Sequence, residues 1–564
     1  MSAMSRRVRS YAWLVRVLTR GGVIGPTRPD RIVRMGRAMK RQGGASPMSG
    51  IGLAAARKPD ATALVDEAGS LTWGDLDRRG DALAVGIASL TGRPVRTIAV
   101  LCRNHRGIIE ALTAGTRLGA ETVLLNTGFA GPQLADVIGQ ESVDLLIVDD
   151  EFGELVEVAV AANPSLRCLR AWTEPDTVAM SPARRSADVG TIDEFIVAHR
   201  GDHPAPVTRA GRIVLLTSGT TGTPKGARRG GSTDVASLAA VLDRIPWRGG
   251  QSTVIAAPVF HAWGFGQVAI AAAVTSTMIM QRRFDPVGTL DLVRRYGATG
   301  LAVVPVMLER IMDLPPAELD ARPMPTLRFV TASGSRMRTD ALIAFMDRFG
   351  DIVYNSYNAT EAGLISTAVP VDLRAAPETA GRPLTGTRVR LLDDDGREVP
   401  AGGTGRIVVA SNSGFDGYTS ADTTKEYADG YMISGDVGRC DTAGRLFVVG
   451  RDDEMIVSGG ENVFPLEVEQ VLDAHPAILE SAVVGVDDER FGQRLVAYAV
   501  TRPDAVITAE ELQAHIKSEL AGYKVPREIH FLPQLPRNAT GKVLKKSLPE
   551  TVSTHAAGNP EQEP

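Results

Sequence analysis

TSGTTGTPKG, Thr217 to Gly226, follows directly on the apolar run IVLLT and decides how the chain is read. Its three glycines, Gly219, Gly222 and Gly226, permit backbone conformations closed to other residues and let amide N–H groups approach a bound group. Ser218, Thr220, Thr221 and Thr223 add hydroxyl donors, and Lys225 adds a positive charge. A polyphosphate uses all of these together, whereas a Ser/Thr/Gly linker needs neither a lysine in register nor a strand in front. The Walker pattern GxxxxGK[ST] is not met. Counting from Gly219, its second glycine position holds Pro224, and neither Ser nor Thr follows Lys225. The loop predicts a nucleotide-phosphate site outside the ordinary P-loop class.

Outward from this loop, short β-branched runs alternate with helical patterns from about Ile51 onward, the signature of α/β layers. Strands are expected at Ile213 to Thr217, Thr253 to Ala257, Leu301 to Val306, Leu327 to Thr331, Gly405 to Val409 and Arg445 to Val449. The 564 residues exceed one domain, and 44% apolar with 23% charged residues is an ordinary globular balance. Lys plus Arg number 62 against 66 acids, which gives −4 and excludes a chain-wide polyanion binder. Cys102, Cys168 and Cys440 stand far apart without metal-ligand spacing, so neither a disulfide framework nor a cysteine zinc site is expected, and a reducing cytoplasm fits. The longest weakly polar run, Val268 to Met280, has 13 residues, short of the ~20 a spanning helix needs.

Charge is uneven. Residues 1–50 hold 11 basic residues and one acid, Asp30. Tyr11, Leu14, Val15 and Leu18 fall on one helical face with Arg9, Arg16 and Arg20 opposite, blurred by Trp13 and Val17. The segment is read as a basic extension whose residues 6 to 20 make peripheral contact with an anionic membrane. A helix packed on the body of the protein, or a loose basic tail, is the alternative.

TSGTTGTPKG resembles the phosphate-binding signature of the adenylate-forming superfamily of acyl-CoA synthetases, luciferases and peptide-synthetase adenylation domains. Further motifs of that superfamily follow in order over roughly residues 51 to 548. The resemblance implies ATP or AMP contacts from Thr217, Ser218, Gly219, Thr220, Thr221, Gly222, Thr223 and Lys225, and from Ser333 and Gly334 in TASGSRM. YNATE is similar to YGxTE, which implies that Tyr357 stacks on adenine, Thr360 meets the α-phosphate and Glu361 holds Mg²⁺. Asn358 stands where glycine is usual, and asparagine's tolerance of left-handed backbone is expected to preserve the turn. YMISGD resembles the motif whose aspartate holds the ribose hydroxyls, which implies Asp436 for that role; the same resemblance implies Arg451 in GRDDEMI as the next nucleotide contact and the hinge at Asp453, with Asp452 the second candidate.

By the same resemblance, PVFHAWGFG implies that His261 and Trp263 are gate residues between acyl site and thiol channel, with Gly264 and Gly266 expected to leave room for acyl substrate. Ser458, Gly459 and Gly460, together with Lys524 in GYKVP, are the CoA candidates. LPRNATGKVLKK resembles the segment that carries the family's catalytic lysine, which implies that role for Lys542, a cation suited to a reaction in which a carboxylate attacks a phosphate. The implied architecture has four parts. After the extension (1–50) comes a large domain (51–452) with layered α/β sheets and a small barrel-like part; a small mobile α+β domain (453–548) and a disordered tail (549–564) follow.

The implied activity is ATP- and Mg²⁺-dependent activation of a carboxylic acid, passed from the acyl-adenylate to CoA. RNHRG at Arg103 to Gly107 is similar to bacterial fatty acyl-CoA synthetases and favours a medium- or long-chain fatty acid. Alternatives are a fatty acyl-AMP ligase serving a carrier protein, or a CoA ligase for an aryl or sterol-derived acid. A peptide-synthetase module would need a carrier domain, for which the 22 residues after Lys542 are too few. A scaffold without catalysis would not need Lys225, Glu361, Asp436, Arg451 and Lys542 together. No nucleic-acid partner is expected, and the oligomeric state is left open, with a homodimer as one candidate.

Overall fold

The computed structural model describes residues 3–91, 93–174, 181–217, 224–229, 235–411, 415–420, 424–458, 461–488, 492–538 and 541–549. Two large sheets dominate. The first runs, edge to edge, Arg382–Pro383, Gly363–Ala368, Val353–Ala359, Phe329–Ser333, Gly300–Val303, Ser252–Ile255, Thr277–Met280, Thr62–Asp66 and Gly69–Thr72, parallel except at its margins. The second runs Phe415–Tyr418, Lys225–Arg229, Arg212–Thr217, Glu121–Leu124, Thr97–Leu101, Leu145–Asp149, Arg167–Trp172 and Asp188–Thr191. Its inner strands, such as Thr97–Leu101, are buried along their whole length, as a parallel sheet covered by helices on both faces requires.

A third, antiparallel sheet follows, built on Thr404–Ala410 and Tyr431–Cys440. Its last strand, Leu446–Arg451, runs into a 3₁₀ turn, Asp452–Glu454. A fourth sheet then begins at Ile456–Ser458 and carries the helices Pro465–Ala474 and Ala509–Glu519 over its own core. The result is the layered α/β body with a small α+β unit that the motifs imply.

Three expectations need correction. The strand expected at Leu301 to Val306 ends at Val303, because Pro305 opens the helix Pro305–Met312 with its ring at the first turn. The strand expected at Leu327 to Thr331 lies at Phe329–Ser333, with Leu327 in the turn before it. Asn358 is not left-handed. It sits at the bulge of Val353–Ala359, where its Oδ1 lies 3.1 Å from Ser333 Oγ.

Residues 3–50 pack on the body. The helix Ala3–Gly21 lies along Val235–Arg244, with Val17 and Leu18 buried, Trp13 Nε1 donating to Asp243 at 3.0 Å, and Gly21 close against the Leu242 side chain. The packed face is therefore Trp13, Leu14, Val17 and Leu18, while Tyr11 and Val15 point outward. Farther on, Gln42 accepts from the buried Arg117, which also binds Asp81 at 3.0 Å and Asp77. No helix among the described residues is long and apolar enough to cross a membrane.

Candidate active site

The antiparallel strands Arg212–Thr217 and Lys225–Arg229 form a β-hairpin pair in the second sheet, with Thr217 opposite Lys225. Ser218, Gly219, Thr220, Thr221, Gly222 and Thr223 lie outside the described residues. Gly226 serves packing: a side chain there would meet Glu141 and Thr419, whose N–H donates to the Gly226 carbonyl at 2.7 Å.

Three segments converge beside this hairpin. Thr360 and Glu361 form the turn between Val353–Ala359 and Gly363–Ala368. Arg229, from the strand after the phosphate loop, donates to the Thr360 carbonyl. Tyr418, from the strand paired with that one, donates its hydroxyl to Glu361 Oε1 at 2.5 Å. Burial pulls the Arg229 guanidinium below its ordinary value, and the nearby Glu361 carboxylate opposes the shift. A partly buried carboxylate beside a phosphate-loop hairpin offers hard oxygen ligands, the donor type that Mg²⁺ requires.

Next to the turn, Asp436 gathers a second group. Its carboxylate accepts from the Tyr357 hydroxyl and from Arg451 Nη1 at 3.2 Å, and its backbone N–H donates to Ser434 Oγ at 3.0 Å. Burial raises the Asp436 carboxyl, while Tyr357, Arg451 and Lys542 pull it down. The Tyr357 hydroxyl is raised, first by burial and then by the Asp436 charge. Ser333 Oγ donates to the Ser356 carbonyl at 2.7 Å, which ties the TASGSRM turn, with Gly334 at φ +116°, to the strand carrying Tyr357.

The acyl-side candidates flank the helix Ala262–Val274. His261 is its N-cap residue, and its buried Nε2 has no hydrogen-bond partner among the described residues. Burial lowers its imidazole to about 4, so it is neutral at pH 7. Trp263 packs inward and donates Nε1 to the Val303 carbonyl at 2.8 Å. Gly264 allows the first turn to press on Pro258, while Gly266 faces open space.

The loop before His261 hangs on one side chain. Asn104, buried in the RNHRG stretch, donates Nδ2 to the carbonyls of Ile255 and Ala257 at 3.2 and 3.0 Å. It accepts from the Val259 N–H at 2.9 Å. One asparagine from the second sheet thereby fixes the exit of a strand in the first.

From the small unit, a turn brings Lys542 to the same place. Asn538 Oδ1 accepts from the Lys542 N–H at 2.9 Å, and Arg537 spans the Gly541 carbonyl and Glu480. Gly541, at φ +80°, sits so close to Val306 that a Cβ would overlap it. Lys542 itself is exposed, makes no ion pair among the described residues, and exerts its charge on Asp436.

Asp453 lies in the exposed 3₁₀ turn and accepts from Arg451 Nε at 3.0 Å. Ser458 ends its strand opposite Glu461; Gly459 and Gly460 lie outside the described residues. Lys524 pairs with Glu467 within the small unit.

Arg229, Tyr418 and Asn104 are the site residues that sequence reasoning missed. Two arginines, Arg228 and Arg229, in the strand after a phosphate loop were the available signal for the first. Across the domain junction, Arg336 of the TASGSRM turn pairs with Asp473 of the small unit at 3.2 Å, and Arg502 pairs with Asp340 at 2.8 Å.

The Thr217–Lys225 strand pair, the Glu361 carboxylate, the Asp436–Tyr357–Arg451 cluster and Lys542 from the small unit lie where the motifs of the adenylate-forming enzymes fall. The chain belongs to the family of AMP-binding enzymes, matching its model over residues 53–419 and that of the AMP-binding enzyme C-terminal domain over residues 467–542. Its substrates accordingly include ATP with Mg²⁺, an acid and CoA or another acyl acceptor.

The chain is 30% identical over 508 residues to a fatty acid–[acyl-carrier-protein] ligase of Streptomyces coeruleorubidus, covering 88% of this chain and 94% of that one. It is 32% identical over 497 residues to a feruloyl-CoA synthase of an Amycolatopsis species, covering 86% and 95%. The solved o-succinylbenzoate CoA synthetase of Bacillus subtilis, in complex with its acyl-adenylate, shares the fold. Its TM-score is 0.74 at 24% identity, over 89% of this chain and 98% of that one.

Proposed function

We propose that the protein converts a medium- or long-chain fatty acid to its CoA thioester in two steps at one site. The acid's carboxylate oxygen attacks the α-phosphorus of ATP and expels pyrophosphate, leaving an acyl-adenylate. The CoA sulfur then attacks the acyl carbon, its proton is lost, and AMP departs.

The observation that carries this reading is the seat of Gly541 on Val306, which holds Lys542 within the field of Asp436. Attack of one anion on another needs a cation fixed where charge builds, and Lys542 is that cation. Thr360 and Lys225 receive phosphate oxygens, Asp436 and Arg451 orient the ribose, Tyr357 and the Ser333–Gly334 turn face the adenine, and Glu361 holds the metal. Mg²⁺ bound there neutralises charge on the triphosphate. Rotation about Asp453 then withdraws Lys542 and frees the approach for the thiol, with Ser458, Gly459, Gly460 and Lys524 as the thiol-side contacts.

The helix Ala262–Val274, AWGFGQVAIAAAV, carries no charged residue, and Gly266 opens on free space, which supports a hydrocarbon substrate at about 0.8 kcal/mol per buried methylene. The fatty acid ligase relative supports the same class. A second reading, an acid bearing a hydroxyl or N–H, is favoured by Gln267. This side chain is 2% exposed, lies one turn beyond Trp263, and has no hydrogen-bond partner for Oε1 among the described residues.

Pyrophosphate release measured over fatty, aryl and sterol-derived acids, with and without CoA, tests both. Highest specificity for C8 to C18 acids with CoA-dependent AMP release supports the first reading. A preference for polar acids that vanishes in Gln267→Leu supports the second. Pyrophosphate release with no thioester points to a carrier-protein acceptor instead.

A further inference from the structure

We propose that the outer face of the amino-terminal helices docks the protein on an anionic lipid surface. Of the sixteen exposed large apolar side chains among the described residues, five lie within residues 11–33: Tyr11, Val15, Ile24, Ile32 and Val33. The same stretch is the most basic of the chain, with 11 cationic residues and one acid in residues 1–50. On Ala3–Gly21 the exposed half carries Tyr11 and Val15 along one edge and Arg16 and Arg20 along the other, and on Pro29–Arg41 Arg37 and Lys40 share one side with Val33. Asp30, the one acid, is already paired with Arg34 at 2.6 Å.

The inner side is not available for lipid. Trp13, Leu14, Val17 and Leu18 pack against the protein, so the helix is a fixed platform and not a tail that must fold on binding. Its outward side mixes guanidinium groups with isolated apolar side chains. That pattern suits a charged interface into which a few side chains dip, with cations on the headgroups. A second copy of this chain would bring like charges together. A nucleic acid has no use for the aliphatic side chains.

Sedimentation with vesicles reads binding alone, so its outcome is independent of the substrate assignment. The full chain is expected to pellet with vesicles of equal parts phosphatidylglycerol and phosphatidylcholine, and at least tenfold more weakly with phosphatidylcholine alone. Raising salt from about 50 to 500 mM is expected to weaken binding at least tenfold, as screening shortens. Arg16→Glu with Arg37→Glu, and separately Tyr11→Asp with Val15→Asp, should each cost at least tenfold while the circular dichroism and acid activation stay those of the parent. Equal binding to neutral vesicles, unchanged binding by both variants, or absence of vesicle binding overturns the proposal. So does retention of duplex DNA or an acidic carrier protein on this face in place of vesicles.

Discussion

Removing Arg336 separates the two half-reactions, because its partner lies on the other side of the domain junction. Arg336 Nη1 stands 3.2 Å from Asp473 Oδ2, and the side chains are only 28% and 16% exposed. Asp473 also accepts from Ser481 Oγ at 2.7 Å, yet burial lifts its carboxyl to about 7. At pH 8 the carboxylate is ionised and depends on Arg336. Arg336→Met leaves that charge buried with one hydroxyl for company. Breaking a fully buried pair costs roughly 3–5 kcal/mol, and partial solvent access reduces this to about 1–2 kcal/mol. A penalty of about 1.4 kcal/mol on the arrangement that seats Lys542 is tenfold in its population. Adenylation, followed by ATP–pyrophosphate exchange, should fall roughly tenfold, and thioester formation from supplied acyl-adenylate should hold or rise. Adding Asp473→Asn removes the stranded charge and should recover most of the loss. If both half-reactions slow equally, or the double variant is no better than the single, the junction is not what Arg336 serves.

Lys542→Ala should slow pyrophosphate exchange by roughly 10²–10³ and nearly spare thiol transfer from the adenylate, the loss of one preorganised donor. Tyr418→Phe deprives Glu361 of its 2.5 Å donor and should raise the Mg²⁺ needed for half-maximal exchange roughly tenfold, read by metal titration. Asn104→Ala strands the buried Val259 N–H and the carbonyls before it; a loss of about 2–4 kcal/mol, measured by denaturant unfolding, is expected. His261, held to about 4 against about 6.5 in the unfolded chain, leaves the unfolded state binding more protons between those values. Stability should therefore fall as pH drops from about 6.5 to about 4, by about 3 kcal/mol in all, and His261→Phe should flatten that slope.

The residues that the sequence exposes most clearly are those in contiguous motifs. Thr217 to Gly226 carries its strand, its turn and its charge within ten residues, and local chemistry alone assigns it a phosphate. Asn104 and Tyr418 escape such reading because their partners are distant: Asn104 acts on a loop about 155 positions away, and Tyr418 on a carboxylate 57 positions away. The amino-terminal helix shows the same boundary. Its periodicity is visible, but which side turns inward is decided by Leu242 and Asp243, more than 220 residues along. Strand limits at Val303 and Phe329 slipped by two or three residues because apolar runs continue into the flanking helix and turn. Proline 305, read as a helix opener, would have placed the first of them.

If the small unit closes as proposed, the seat of Gly541 on Val306 means that it shuts on a tolerance of one hydrogen atom. Any larger substituent at 541 would act as a doorstop: it would hold the small unit ajar without touching a single group that does chemistry, and its left-handed backbone would resist the change as well. On the proposed two-step reading, the choice between the halves of the cycle would thus rest, at that point, on the absence of a methyl group.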